Sequence, residues 1–230
     1  HHRQAVAPSA VGTDEKMYTL QGLKDAPVPR ALTLADIAAT VDDFAQAAAM
    51  AVDAGADGVE IHAANGYLIH QFLAANANQR DDHYGGRLEN RARFALEVAR
   101  AVAQRTGAHR TGIRLSPGSR LGGIDEGPDS DALYRHLVDG LAPLDLAYLH
   151  LTQGRNEALL RDLRQRWPNT LLVNRIDRPL AALGNDIEAG LADMAPVGRW
   201  ALANPDFVER LQARAPLNTP DPATFYGAGA

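Results

Sequence analysis

The chain has 230 residues, 46% of them apolar, and a formal net charge of −5, enough material for one sizeable domain with a large core. That charge argues against a nucleic-acid or anionic-membrane surface, and the absence of cysteine excludes disulfide and thiolate chemistry. No apolar run reaches transmembrane length and no signal-peptide pattern opens the chain, so a cytoplasmic location is the default expectation. His1-His2 reads as the tail of an expression tag and is left out of the fold reading. Residues 1–230 otherwise read as a single domain.

Residues 3–31 look loop-like, punctuated by Pro8, Pro27 and Pro29. Thr33-x-x-Asp36 is a helix start with an acid in the first turn. Ile37, Val41, Phe44, Ala45, Ala48 and Val52 recur at helical spacing, and Gly55 is the expected C-cap. Residues 58–62 alternate as a short buried strand does, and a helix begins near Leu68. Further helices are expected at 88–104, 131–141, 157–167, 179–190 and 205–213. Strands are expected at 112–116, 146–151, 170–174 and 194–197, with a glycine-rich loop at 118–127.

Strands and helices therefore alternate, which implies a parallel sheet with right-handed crossovers. An open doubly wound sheet and a closed eight-stranded barrel both fit. No G-x-G-x-x-G follows the first strand, which lowers the open dinucleotide fold.

The densest chemistry lies at 57–72, DGVEIHAANGYLIHQF. His62, Asn65 and Tyr67 follow a strand, and polar groups at the carboxyl ends of strands are where parallel α/β proteins place their sites. A second dense motif follows, NQRDDHYGGRLENR at 78–91. His70, His83, His136 and His150 show no metal-ligand spacing, so no metal is expected.

Together these motifs resemble the Old Yellow Enzyme family of flavin-dependent oxidoreductases, from about Val6 to the C-terminus. The resemblance implies an α/β fold of the TIM (β/α)8 type, with FMN at the carboxyl ends of the strands. The five expected strands correspond to the family's fourth to eighth. Residues 3–31 correspond to the loop after its third strand, where Val6-Ala7-Pro8-Ser9-Ala10 resembles a short family motif. The expected fold is thus an incomplete barrel lacking the first three strands, with two open edges. A complementary chain would supply those strands, or the sequence is truncated, split or permuted.

The resemblance also assigns roles. His62 and Asn65 hold the carbonyl oxygen of an α,β-unsaturated substrate, because hydride delivery to the β-carbon makes an enolate that two fixed donors stabilise. Tyr67 matches the proton donor; a phenol stays protonated at neutral pH. Arg114 lies against the pyrimidine edge of the flavin, where a permanent cation stabilises reduced flavin. Gly198 and Arg199, ahead of Ala203-Asn204-Pro205-Asp206, hold the FMN phosphate on turn N–H groups. The other half of that phosphate site departs from the family. Ile176 stands where small residues are usual, and Asp177 would bring a like charge, with Arg175 as the residue to offset it. The 80–91 block reads as structure, with Tyr84-Gly85-Gly86 a tight turn and Glu89, Asn90 and Arg91 pinning it.

The expected function is an FMN-dependent ene-reductase taking hydride from NAD(P)H, with an enone or similar activated alkene as small-molecule partner. Another flavin reaction on the same scaffold is an alternative. A different class of alternative is a partial-barrel fragment or subunit without activity alone.

Overall fold

The computed structural model describes residues 4–225 apart from Leu20, Arg155, Asp177 and the Tyr18 side chain. His1-His2 and Asp177 therefore lie outside the described residues.

The N-terminal segment carries more order than its prolines suggest. Strand β1 (Val6–Ala7) leads to a hairpin of β2 (Lys16–Thr19) and β3 (Gly22–Asp25), and then to β4 (Arg30–Ala31), which pairs in parallel with β1. The hairpin turns at Gly22, whose φ of 95° suits glycine. Its strands have few apolar residues to bury, and β3 is exposed throughout. That is why no period marks them in the sequence.

Helix α1 (Leu34–Asp53) starts at a full capping box: Thr33 accepts from the Asp36 N–H and the Asp36 carboxylate accepts from the Thr33 N–H. Its cap at the far end is Ala54, with Gly55 one residue later at φ 101°. Of its apolar stripe only Ile37 and Ala48 are buried, because α1 packs on one side only, against α3 (Leu88–Thr106). Phe44 meets Phe94 edge-on, with ring centroids 6.4 Å apart. Helix α3 instead buries Ala92, Phe94, Ala95, Val98, Ala99 and Val102, a continuous helical stripe.

The core sheet has four parallel strands in sequential order: β5 (Val59–His62), β6 (Thr111–Leu115), β7 (Tyr148–Gln153) and β8 (Thr170–Arg175). Helix α2 (Leu68–Leu73) follows β5, α4 (Ser130–Leu141) lies between β6 and β7, and α5 (Glu157–Arg166) lies between β7 and β8. One face of the sheet presents Ile61, Ile113, Leu115, Leu149, Leu151, Leu171 and Val173 to the helices, all buried. At about 1.5–3 kcal/mol for each buried aliphatic side chain, this layer dominates the stability of the sheet.

Because side chains alternate along a strand, the register puts the other residues on the opposite face. Glu60, Gly112, Tyr148 and Thr170 form one row, and His62, Arg114, His150 and Leu172 form the next. This face is polar and only partly covered. Gly112 leaves room in the first row for the Tyr148 ring, which a Cβ there would meet at 2.2 Å.

The fifth expected strand, 194–197, is reduced to a single bridge between Leu172 and Met194. Val173 N–H donates to Met194 O at 3.1 Å, and then Pro196, which has no N–H, prevents the ladder from continuing. The expected 179–190 helix is also broken, into a 3-10 turn (Leu180–Ala182) and α6 (Asn185–Glu188). Helix α7 (Gly198–Ala203) was not expected, and α8 (Phe207–Ala213) starts two residues later than its sequence signal.

Candidate active site

Three of the residues singled out in the sequence sit at the carboxyl end of β5. His62 ends the strand, and residues 63–66 turn the chain into α2, with Tyr67 as its N-cap. Asn65 and Gly66 both adopt left-handed backbone, at φ 54° and 84°. Asparagine tolerates this conformation better than most residues, at a cost of about 1 kcal/mol. Gly66 has no substitute, because a Cβ would lie 2.4 Å from the Leu121 carbonyl.

The His62 ring stands edge-on to Tyr67, with centroids 4.6 Å apart. Its Nδ1 accepts the Ala64 N–H at 3.2 Å, so in the neutral ring the proton is on Nε2. Burial first, and then the nearby Arg114 cation, lower its pKa below the usual 6.5, which keeps it neutral at pH 7. Tyr67 is 61% exposed and presents its phenol to the open side.

Arg114 pairs in register with His62, and its carbonyl accepts the Ala63 N–H at 3.0 Å. It forms no ion pair among the described residues, and its Nε is buried without a protein partner. The Asn65 Oδ1 and His150 Nε2 are likewise buried without partners. A polar, half-open face with several such groups suits a flat heterocycle bearing both donors and acceptors.

The row beneath, together with His150 beside Arg114, carries charges that the sequence reading did not assign. His150 Nδ1 lies 2.9 Å from Glu60 Oε2. Burial alone would raise the Glu60 pKa, but the hydrogen bond and charge of His150 outweigh it and lower the value. Tyr148 is pushed up to about 12 by burial and by Glu60. The period of two along each strand, applied to Glu60 and His62 and to Tyr148 and His150, is the signal that places them on one face.

The other expected binding residues form a separate cavity of about 280 Å3 beyond β8. Asn174, Ile176, Arg178, Gly198 and Arg199 line it. Gly198 does not sit in a strand-to-helix turn as expected; it is the first residue of α7, with Val197 as N-cap. A Cβ built at Gly198 meets nothing within 4 Å, and the first-turn N–H groups of a helix have no intrahelical partners. This half of the cavity fits an anion. Ile176 is not among the residues with positive φ. Arg175, expected to offset the charge of Asp177, is already committed. It donates to Asp186 at 2.7 Å and to Glu157 at 2.6 Å, and Arg178 shares Asp186. Among the described residues that line the cavity, the cations left for an anion are Arg199 and, in part, Arg178.

The 80–91 block, read as structure, is tied down by hydrogen bonds at all but one of the expected positions. Asn78 donates to Phe72 O and Tyr84 O, and Asn90 donates to Gly85 O. Arg91, only 2% exposed, donates to Leu73 O and Glu126 O and pairs with Asp129. Glu89 does not pin the loop. It is paired with exposed Arg87 at the start of α3.

The parallel sheet carries His62, Asn65, Tyr67 and Arg114 at the carboxyl ends of its strands, where α/β proteins of this kind place their sites. Comparison with known proteins supplies the family. Residues 1–218 match the NADH:flavin oxidoreductase / NADH oxidase family, and the chain belongs to it, the family of the Old Yellow Enzyme. It is 42% identical to a Leishmania infantum protein described as "Probable flavin mononucleotide-dependent alkene reductase", covering 97% of this chain and 63% of the relative. It is 39% identical to 12-oxophytodienoate reductase 2 of Arabidopsis thaliana, covering 94% and 58%. Among solved structures, morphinone reductase in complex with tetrahydroNAD matches with a TM-score of 0.88 at 40% identity, covering 98% of this chain and 64% of that one. The Old Yellow Enzyme homologue from Zymomonas mobilis matches with a TM-score of 0.92 at 34% identity, covering 99% and 66%. The chain thus spans a little under two thirds of these relatives, and its sheet is an incomplete (β/α)8 barrel. The family binds FMN.

Proposed function

We propose that this chain is the catalytic-side portion of an FMN-dependent ene-reductase that draws on NADH or NADPH and reduces an activated alkene such as an enone. The observation that carries the reading is the meeting of His62, Asn65, Tyr67 and Arg114 at the ends of β5 and β6. Bound FMN would supply the hydride, taken from the reduced nicotinamide and given to the β-carbon. His62 holds its Nε2–H ready for the substrate carbonyl oxygen, and Asn65 is the second donor to the same oxygen. Tyr67, exposed beside His62, gives the proton to the α-carbon as the enolate collapses. Arg114 would hold the pyrimidine edge of the flavin, offering its unpartnered Nε to an acceptor there. Gly198, Arg199 and Ile176 would hold the phosphate.

Residues 1–230 act as one domain in this reading, in a cytoplasmic protein. Among the described residues no helix is long and apolar enough to cross a membrane. Further strands, from the same polypeptide or a complementary one, close the barrel. The free edge of β5 supports this: Phe44, Ala47, Ala48, Val59 and Ile61 line an uncovered apolar groove of about 300 Å3 beside it.

The test compares residues 3–230 alone with a longer protein that includes the preceding strands. The longer protein should be yellow, hold FMN tightly and oxidise NAD(P)H with cyclohexenone. The 230 residues alone should bind FMN weakly, by flavin fluorescence, with solution mass recorded alongside. A colourless, inactive longer protein would overturn the enzymatic reading. A monomeric 230-residue chain that binds FMN tightly and reduces cyclohexenone would overturn the need for further strands.

A further inference from the structure

Beneath the loop that carries Asn65 and Tyr67 lies a buried polar cluster that the proposed chemistry does not use. His70 on α2 is fully buried, as is Tyr134 on α4, and Glu126 is 2% exposed. The Glu126 Oε1 accepts from His70 Nε2, from the Tyr134 O–H and from the Gly118 N–H, each at 3.0 Å. The other ring nitrogen of His70 faces the loop: Nδ1 accepts the Gly66 N–H at 3.1 Å. The carboxylate therefore fixes the tautomer, with the proton on Nε2 and a lone pair on Nδ1.

The neighbouring amide is held in the same way. Asn65 N–H donates to Ser116 Oγ at 2.8 Å, and that oxygen lies 3.5 Å from His70 Nδ1. Two consecutive backbone amides, both in the left-handed region, are thus tied to buried side chains. Unheld, the pair would relax to commoner conformations and turn the Asn65 side chain away. Burial alone would raise the Glu126 pKa, but its hydrogen bonds to His70 and Tyr134 outweigh that and lower it.

We propose that His70 is a positioning residue, which through its Nδ1 acceptor fixes Gly66 and so aims Asn65 and Tyr67 at the substrate. The proposal rests on the ene-reductase reading for its catalytic consequence, but not for the contact itself.

Two variants separate the two sides of the ring. In His70→Asn the Oδ1 replaces Nδ1 and still accepts from Gly66, while the link to Glu126 is lost. In His70→Gln the side chain reaches Glu126 and loses the acceptor toward Gly66. In the FMN-loaded full-length protein, amide exchange at Gly66, affinity for p-hydroxybenzaldehyde from the visible flavin band, and kcat and KM for cyclohexenone are measured beside Tm. His70→Gln should speed Gly66 exchange, weaken the phenol and lower kcat, each by at least about tenfold, with FMN content unchanged. His70→Asn should stay within about threefold of the parent in all three, even with a lower Tm. Equal behaviour of the two variants, or losses that follow Tm alone, would overturn the proposal. If His70→Gln does not fold, His70→Asn decides by itself: lost phenol affinity counts against the proposal and retained affinity supports it. A parent that neither binds the phenol nor reduces the enone would sink the functional reading instead, and Gly66 exchange would still decide the contact.

Discussion

The β5–β6 end of the sheet and the β8–α7 end are built on different plans. At the first, a short loop with two left-handed residues is tied by Ser116 and His70, and Arg91 locks the segment behind it. At the second, α6 and α7 are short, α7 buries no residue, and the arginine nearest the strand is neutralised by Glu157 and Asp186. Stabilising an oxyanion requires donors fixed in position, because only preorganised dipoles lower the barrier. Holding a phosphate requires cations and N–H groups within reach, and Coulomb attraction tolerates looser placement. The rigid end suits the first task and the looser end the second.

The largest expected effect comes from the rigid end. His62→Ala combined with Asn65→Ala removes the two proposed oxyanion donors at roughly 3 kcal/mol each, so alkene reduction should fall by about four orders of magnitude. Flavin should stay bound, as checked by its absorbance after gel filtration. An unchanged oxidative half-reaction would take both residues out of the mechanism.

Arg91→Ala should destabilise by about 3–5 kcal/mol, since it leaves the Leu73 and Glu126 carbonyls and the Asp129 carboxylate without their donor. Urea unfolding measures this. A loss under about 1 kcal/mol would mean that the loop is not held from behind.

Tyr67→Phe removes only a hydroxyl. Flavin reduction by nicotinamide should persist, while its reoxidation by an enone slows by about two orders of magnitude. Equal rates by stopped flow would hand the proton to water or another group.

At the looser end, Arg199→Gln should weaken FMN by about tenfold and leave riboflavin, which lacks the phosphate, unaffected. Equal weakening of both, by fluorescence titration, would place Arg199 away from the phosphate and erase the division of labour.

The smallest effect concerns pH. The folded pKa of His62 is lowered, so below about 6.5 the unfolded chain takes up a proton before the folded one does. His62 therefore lowers stability as pH falls through that range and has no effect above it. The fall in stability between pH 7.5 and 5.5 should be smaller in His62→Gln than in the parent. An identical fall in both would show that His62 titrates alike in the folded and unfolded states.

What the sequence determined is local. The Thr33–Asp36 capping box, the helical stripe of α3 and the strand–Asn–Gly–helix run at β5 each lie within a few residues, where spacing alone sets which groups meet. The resemblance to a flavoprotein family is legible for the same reason, carried by the short runs at 57–72 and 78–91. The tertiary structure decided what depends on distant partners. His70 meets Glu126 56 positions away and Tyr134 64 away, and Glu60 meets His150 90 away. It also reduced the expected last strand to one bridge at Met194, and drew Arg175 to Asp186 and Glu157 instead of the anion cavity. Register and packing set such pairings, and neither is written into any short stretch of chain.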